Sequence, residues 1–165
     1  DELEGGDLLD KTQWPVSLDA AEHTRRAVYL YVKRSFLFPM FNTFDAPDAA
    51  LSCGRRQSTT VAPQSLALLN GHLIQRQARA LAGRLIRERG DDPAAWIERA
   101  WMLALGRLPG AAEKQKNLEF LEALEKADPA GWVPEDAGPV STARAAALAK
   151  LALAVFNLNE FVYVD

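Results

Sequence analysis

The chain has 165 residues, 48% of them hydrophobic and 25% charged, which is enough apolar content for one sizeable core and argues against a disordered chain. Its single cysteine, Cys53, excludes an internal disulfide and any multi-cysteine metal or haem-attachment motif within this segment. The formal net charge of −3 is unevenly spread: Glu22 to Gly90 holds 11 Lys+Arg against 4 Asp+Glu, the remainder 8 against 18, so a basic section adjoins acidic ones and suggests mutual docking or an anionic partner.

In chain order, the start from Asp1 to Trp14 is acidic, carries Gly5-Gly6 and reads as a linker or the edge of something upstream. A first residue that is not methionine suggests a processed protein or a piece of a longer one. A single helical domain over 15–165 is expected to follow. Ala27 to Val32, AVYLYV, is rich in β-branched and aromatic residues and favours a short buried strand, with a helix as the alternative. Phe161 to Val164 has the same character, so the two segments are candidates to pair as a two-stranded element.

From Pro63 the pattern turns helical. Leu66, Leu69, Leu73, Leu81 and Leu85 share one stripe with Ile74, Ala78 and Ala82, and Gly90 suits the C-terminal cap. Asn70-Gly71 kinks or splits this helix. Asp92-Pro93 opens a second helix that buries Ile97, Trp101, Ala104 and Leu105 before Gly106. A third runs from Ala111 to Lys126 with Leu118, Leu121 and Leu124 inward, and a proline- and glycine-bearing loop spans Asp128 to Pro139. A fourth, from Ser141, stacks Leu148, Leu151, Ala152, Val155 and Phe156. The longest apolar run, Ala143 to Phe156, is shorter than the roughly 20 residues of a membrane span, and Arg144 and Lys150 interrupt it. The fold class expected is therefore mainly α: a bundle of about four helices with a short strand or two-stranded element and a long polar loop.

That loop, from Phe44 towards Asn70, gathers most of the reactive residue types. Asp45 and Asp48 lie three apart and suit calcium, acid and base work, or simple capping of a turn. Arg55 and Arg56, followed by Gln57, Ser58, Thr59 and Thr60, suit sulfate, phosphate or carboxylate, or else lock the loop to the two aspartates. Gln64 and Asn70 are placed to orient the loop by hydrogen bonds. Cys53 has only His23 and His72 as imidazole partners, neither at a catalytic spacing, and reads as structural or incidental. Those two histidines make no zinc pattern. Trp132, in the Pro/Gly loop, is the tryptophan best placed for an exposed contact, whereas Trp101 belongs to the core. The arginines of the first long helix are not interleaved with aromatics, which argues against nucleic acid.

Four blocks then carry a resemblance: RRAVYLYVKRSFLFPMFNTFDAPD from Arg25, SCGRRQSTTVAPQSLALLN from Ser52, LALGRLPGAAE from Leu103 and NLNEFVYVD from Asn157. In that order they resemble the C-terminal, PSD-type domain of unknown function of large exported planctomycete proteins, which often carry a cytochrome-c-like domain upstream. Gly54 and Ser65 are small departures from the pattern. The resemblance implies an exported, periplasmic or cell-surface setting, a multidomain parent and any haem in another domain rather than in this segment. It supplies no catalytic residues.

Two functional expectations follow. One is a non-catalytic helical module that docks an upstream domain of its parent, or an anionic polysaccharide, through Arg55, Arg56, Gln57, Thr59, Gln64 and Trp132. The other is part of a carbohydrate-active or metal-binding enzyme using Asp45 and Asp48.

Overall fold

The computed structural model describes residues 19, 25–29, 38–47, 51–55, 59, 62–127 and 131–163. By contact the chain divides into two compact units, Asp1–Ala67 and Leu68–Asp165.

In the first unit, Ala27–Tyr29 forms a single 3-10 turn closed by the Tyr29 N–H on the Arg26 carbonyl. Val28 and Tyr29 are exposed. The strand expected over Ala27–Val32 is thus replaced by helical backbone at residues 27–29, and residues 30–32 lie outside the described set. Its β-branched character has no buried face to fill there, and strand propensity is chiefly a packing preference. Helix α1, Pro39–Thr43, opens on a proline whose missing N–H costs nothing in the first turn. Phe38 meets Phe41 edge to face at 5.6 Å. Helix α2, Ala62–Asn70, has Pro63 in its first turn.

Gly71 is extended, and α3, His72–Arg89, starts afresh beyond it. The Gln75 side chain donates to the Leu69 and Asn70 carbonyls that the break leaves free. The break also ends the phase of the apolar stripe. Leu66, Leu69 and Leu73 are exposed, and Leu68 is buried instead.

The second unit is a bundle of α3, α4 (Pro93–Ala104), α5 (Ala111–Lys126) and α6 (Thr142–Phe156), with the short α7 (Asn159–Val162) at its end. Helix α6 contacts α3, α4 and α5. Accordingly its buried residues, Ala145 to Ala149, Leu151 to Leu153 and Val155, cover more than one face, as expected for a helix surrounded by others. Leu85, Ile86, Trp96, Ile97, Trp101 and Leu121 complete the core around it.

Caps fix the ends. Gly90, at φ +61, closes α3, and the Trp96 indole N–H donates to its carbonyl at 2.8 Å. The Asp92 carboxylate accepts from the Ala95 N–H at 3.0 Å, and the Ser141 hydroxyl accepts from Arg144 N–H at 3.3 Å. Gly83 lets the loop after α5 settle on α3: a Cβ there would stand 3.1 Å from the Asp136 carbonyl oxygen.

The expected two-stranded closure at the C-terminus is likewise overturned. Phe161 and Val162 belong to α7, whose first turn is closed by their N–H groups on the Leu158 carbonyl. Phe161 stacks on Phe156 at 5.0 Å, so the aromatic side chain is satisfied by a helix rather than a sheet. Among the described residues all regular structure is helical.

Candidate functional site

The polar loop is organised by Asp45. This residue follows α1 in the left-handed region, φ +56, a conformation that aspartate tolerates better than most residues. Its carboxylate accepts the Thr59 backbone N–H at 2.7 Å and the Thr59 hydroxyl at 2.8 Å. Gln64, only 3% exposed on the first turns of α2, donates its amide to the same carboxylate and to the Thr59 hydroxyl oxygen, both at 3.3 Å. The carboxylate so joins positions 14 and 19 residues away and ties the loop's two ends together. Hydrogen bonds to an ionised acceptor are stronger than neutral ones, which suits a clasp between separated positions of the chain.

Between those ends, Leu51 to Arg55 is exposed. Arg55 carries no ion pair with Asp45; the aspartate is engaged by Thr59 and Gln64 rather than by that guanidinium. Cys53 is exposed too, and its thiol donates to the Arg55 carbonyl at 3.2 Å, a local contact within the turn. Asp48, Arg56, Gln57 and Thr60 lie outside the described residues. His72 is exposed at the first position of α3.

The structure places Trp132 elsewhere, in the second unit. It is half-buried and packs on the small cluster of Ala78, Ala152 and Leu153 where α3 meets α6. Lys150 of α6 holds its ammonium 3.7 Å from the indole centroid, and the Arg79 guanidinium of α3 stands 5.6 Å from it. Burial pushes the Lys150 ammonium below its ordinary value. Periodicity alone could not bring these three together, although Lys150 is a visible interruption of the most apolar helix of the chain.

A second charged cluster was equally hidden. Arg107, in the turn after α4, pairs with Glu113 at the start of α5 and with Glu160 of α7, each through two short N–H···O contacts of 2.7–2.8 Å. Glu113 also accepts the Gly110 N–H at 2.7 Å. The Arg107 guanidinium, aided by that amide, holds the Glu113 carboxyl at about 2, and it lowers Glu160 as well. Arg107 joins the LGRLPGAAE block to the NLNEF block, so two segments far apart in sequence meet in one ion cluster.

A shallow groove of about 360 Å³ runs along α3, floored by Ala80, Leu81, Leu103 and Phe156. The arginines at its rim are engaged: Arg84 by Glu88 and Arg87 by Asp136. No described helix is long and apolar enough to cross a membrane.

A model of the PSD1 family, described as protein of unknown function (DUF1553), matches residues 4–121. No curated protein and no solved structure matches the chain significantly. The matched region contains the Asp45 clasp and Arg55 and ends within α5.

Proposed function

The chain belongs to the PSD1 family of proteins of unknown function (DUF1553), and from that premise we propose that it is a non-catalytic docking module of an exported multidomain protein, presenting Arg55 and Arg56 to an anionic partner. The observation that carries this reading is the engagement of Asp45. The carboxylate that would serve as acid, base or ligand is spent on Thr59 and Gln64, and its effect is to pin the loop on which the arginines stand.

A guanidinium offers a planar fork that matches carboxylate or sulfate with two parallel hydrogen bonds. A loop held at both ends loses less freedom on binding than a free one, so the clasp raises affinity without touching the ligand. The partner is an acidic face of an upstream domain or an anionic polysaccharide. The basic balance of the Glu22 to Gly90 section would speed its approach and make binding sensitive to salt.

The test is titration of the whole chain with a sulfated oligosaccharide, and separately with the upstream part of its parent, at low and high salt. Arg55→Ala with Arg56→Ala is expected to weaken one of the two by tenfold or more and to flatten its salt dependence. If the double variant folds and both associations are unchanged, the proposal fails.

One observation favours the enzymatic alternative, in which Asp45 and Asp48 act on carbohydrate or hold a metal: a non-glycine residue at φ +56 is a strained conformation of the kind that gathers at functional sites. Glycan hydrolysis by the parent protein that vanishes in Asp45→Asn while stability is kept would establish it.

A further inference from the structure

The second unit draws several cations into its inter-helix contacts, and nearly all meet carboxylates there. Arg107 has Glu113 and Glu160, Arg144 has Asp91 and Glu125, Arg99 has Glu88, and Lys114 has Glu98. Lys150 and Arg79 differ. Both are directed at Trp132, and neither has a carboxylate partner among the described residues.

An indole face attracts a cation through its quadrupole, but it carries no net charge and accepts no conventional hydrogen bond from the ammonium. The ring therefore leaves both positive charges uncompensated. Lys150 retains its three N–H donors, and its four-carbon stem lets the ammonium turn away from the ring towards an incoming acceptor.

We propose that Lys150 and Arg79, gathered on Trp132, form an oxyanion site for a sulfate or phosphate group, distinct from the Arg55 loop. Charge selects the ligand: two cations are matched by one tetrahedral dianion, and an ammonium acts on such a group as a compact point charge. Trp132 is the seat that keeps the two cations together in the empty site. Desolvation already disfavours the charged form of Lys150, and a bound dianion would reverse that. The group can arrive as the free anion or on a sulfated sugar.

The experiment uses the whole chain, with thermal unfolding followed in sodium sulfate, in a sulfated disaccharide and in sodium chloride at equal ionic strength. At 100 times its dissociation constant, a ligand that binds only the folded state raises the midpoint by several degrees. The expected result is a rise with sulfate beyond that with chloride, at least tenfold weaker binding in Lys150→Gln and several-fold weaker binding in Arg79→Gln. Lys150→Met, which keeps the apolar stem over the indole, should behave as Lys150→Gln and stands in for it if the amide variant does not fold. The Lys150 and Arg79 dependence is read again in an Arg55→Ala, Arg56→Ala background, where sulfate held by the arginine loop does not enter, so failure of the docking proposal and failure of this one are read separately. Tighter binding of the disaccharide than of sulfate supports the site with a sulfated sugar as its ligand, and equal binding supports it with the bare anion. Equal stabilisation by chloride, or unweakened sulfate binding in a folded Lys150 variant, overturns the proposal.

Discussion

Replacing Asp45 separates an anchor from a reactive carboxylate, because the structure assigns it two independent energetic roles. The first is acceptance of the Thr59 N–H, the Thr59 hydroxyl and the Gln64 amide at 2.7, 2.8 and 3.3 Å. A hydrogen bond to a charged group contributes about 1.5–3 kcal/mol, and bonds sharing one acceptor do not add fully. The second is the backbone at φ +56, where an alanine pays about 1 kcal/mol or more.

Asp45→Ala loses both and is expected to destabilise the loop by about 3 kcal/mol. Asp45→Gly loses the bonds but not the backbone tolerance and should lie about 1 kcal/mol closer to the parent. Asp45→Asn keeps that tolerance and one acceptor oxygen, so about 1–2 kcal/mol is expected. The assay is hydrogen exchange at the Thr59 amide alongside denaturant unfolding: 3 kcal/mol corresponds to roughly a hundredfold faster exchange at that amide. If exchange at Thr59 in Asp45→Ala stays within twofold of the parent, the clasp does not hold the loop and the assignment is wrong. The spacing between the Ala and Gly variants tests the backbone argument separately.

Arg107→Met should flatten the acid limb of the stability curve. Glu113 and Glu160 titrate lower when folded than unfolded, so their stabilisation is present above pH about 4.5 and is lost as pH falls, for Glu113 towards about 2; an unchanged acid limb would refute this. Trp101→Phe should fall within about 1 kcal/mol of the parent in urea unfolding, because the Trp101 indole N–H is buried without a hydrogen-bond partner among the described residues and its removal offsets lost volume. Trp96→Phe, which breaks the bond to the Gly90 carbonyl, should cost about 2–3 kcal/mol by the same measurement. Gly83→Ala should destabilise although alanine favours helix by about 1 kcal/mol, since its Cβ meets the Asp136 carbonyl at 3.1 Å.

Helix ends were legible where a residue type does one local job. Asp92 before Pro93, Ser141 before α6, and Gly90 after α3 each satisfy backbone groups within a turn. What failed depended on partners beyond the turn. The stripe runs across Asn70-Gly71, where the same reading places a kink or a split, and the split leaves Leu66, Leu69 and Leu73 outside. Phe161 and Val162 carry strand propensity, yet the Phe156 ring and the Arg107–Glu160 pair give α7 contacts that propensity cannot register. In the loop the structure couples Asp45 to Thr59 and Gln64, 14 and 19 residues away, and at that separation no periodicity ranks one polar partner above another.

The family match ends at residue 121, within α5, but the bundle does not. Beyond that point lie α6, which contacts α3, α4 and α5, and Glu160, which Arg107 binds from the matched side. Ala145, Leu148, Leu151 and Val155 are the buried partners of Leu85, Ile97 and Trp101, so removing α6 exposes the apolar faces of three helices at once. Each large core side chain returned to water forfeits about 1.5–3 kcal/mol, and a handful of them exceeds the 5–15 kcal/mol by which a whole domain is stable. A chain truncated at residue 121 should therefore keep helical circular dichroism at most in part, bind a hydrophobic dye and unfold without a cooperative transition. A sharp thermal transition in that truncation would show that α3, α4 and α5 hold together without α6, and the placement of the core on α6 would be wrong.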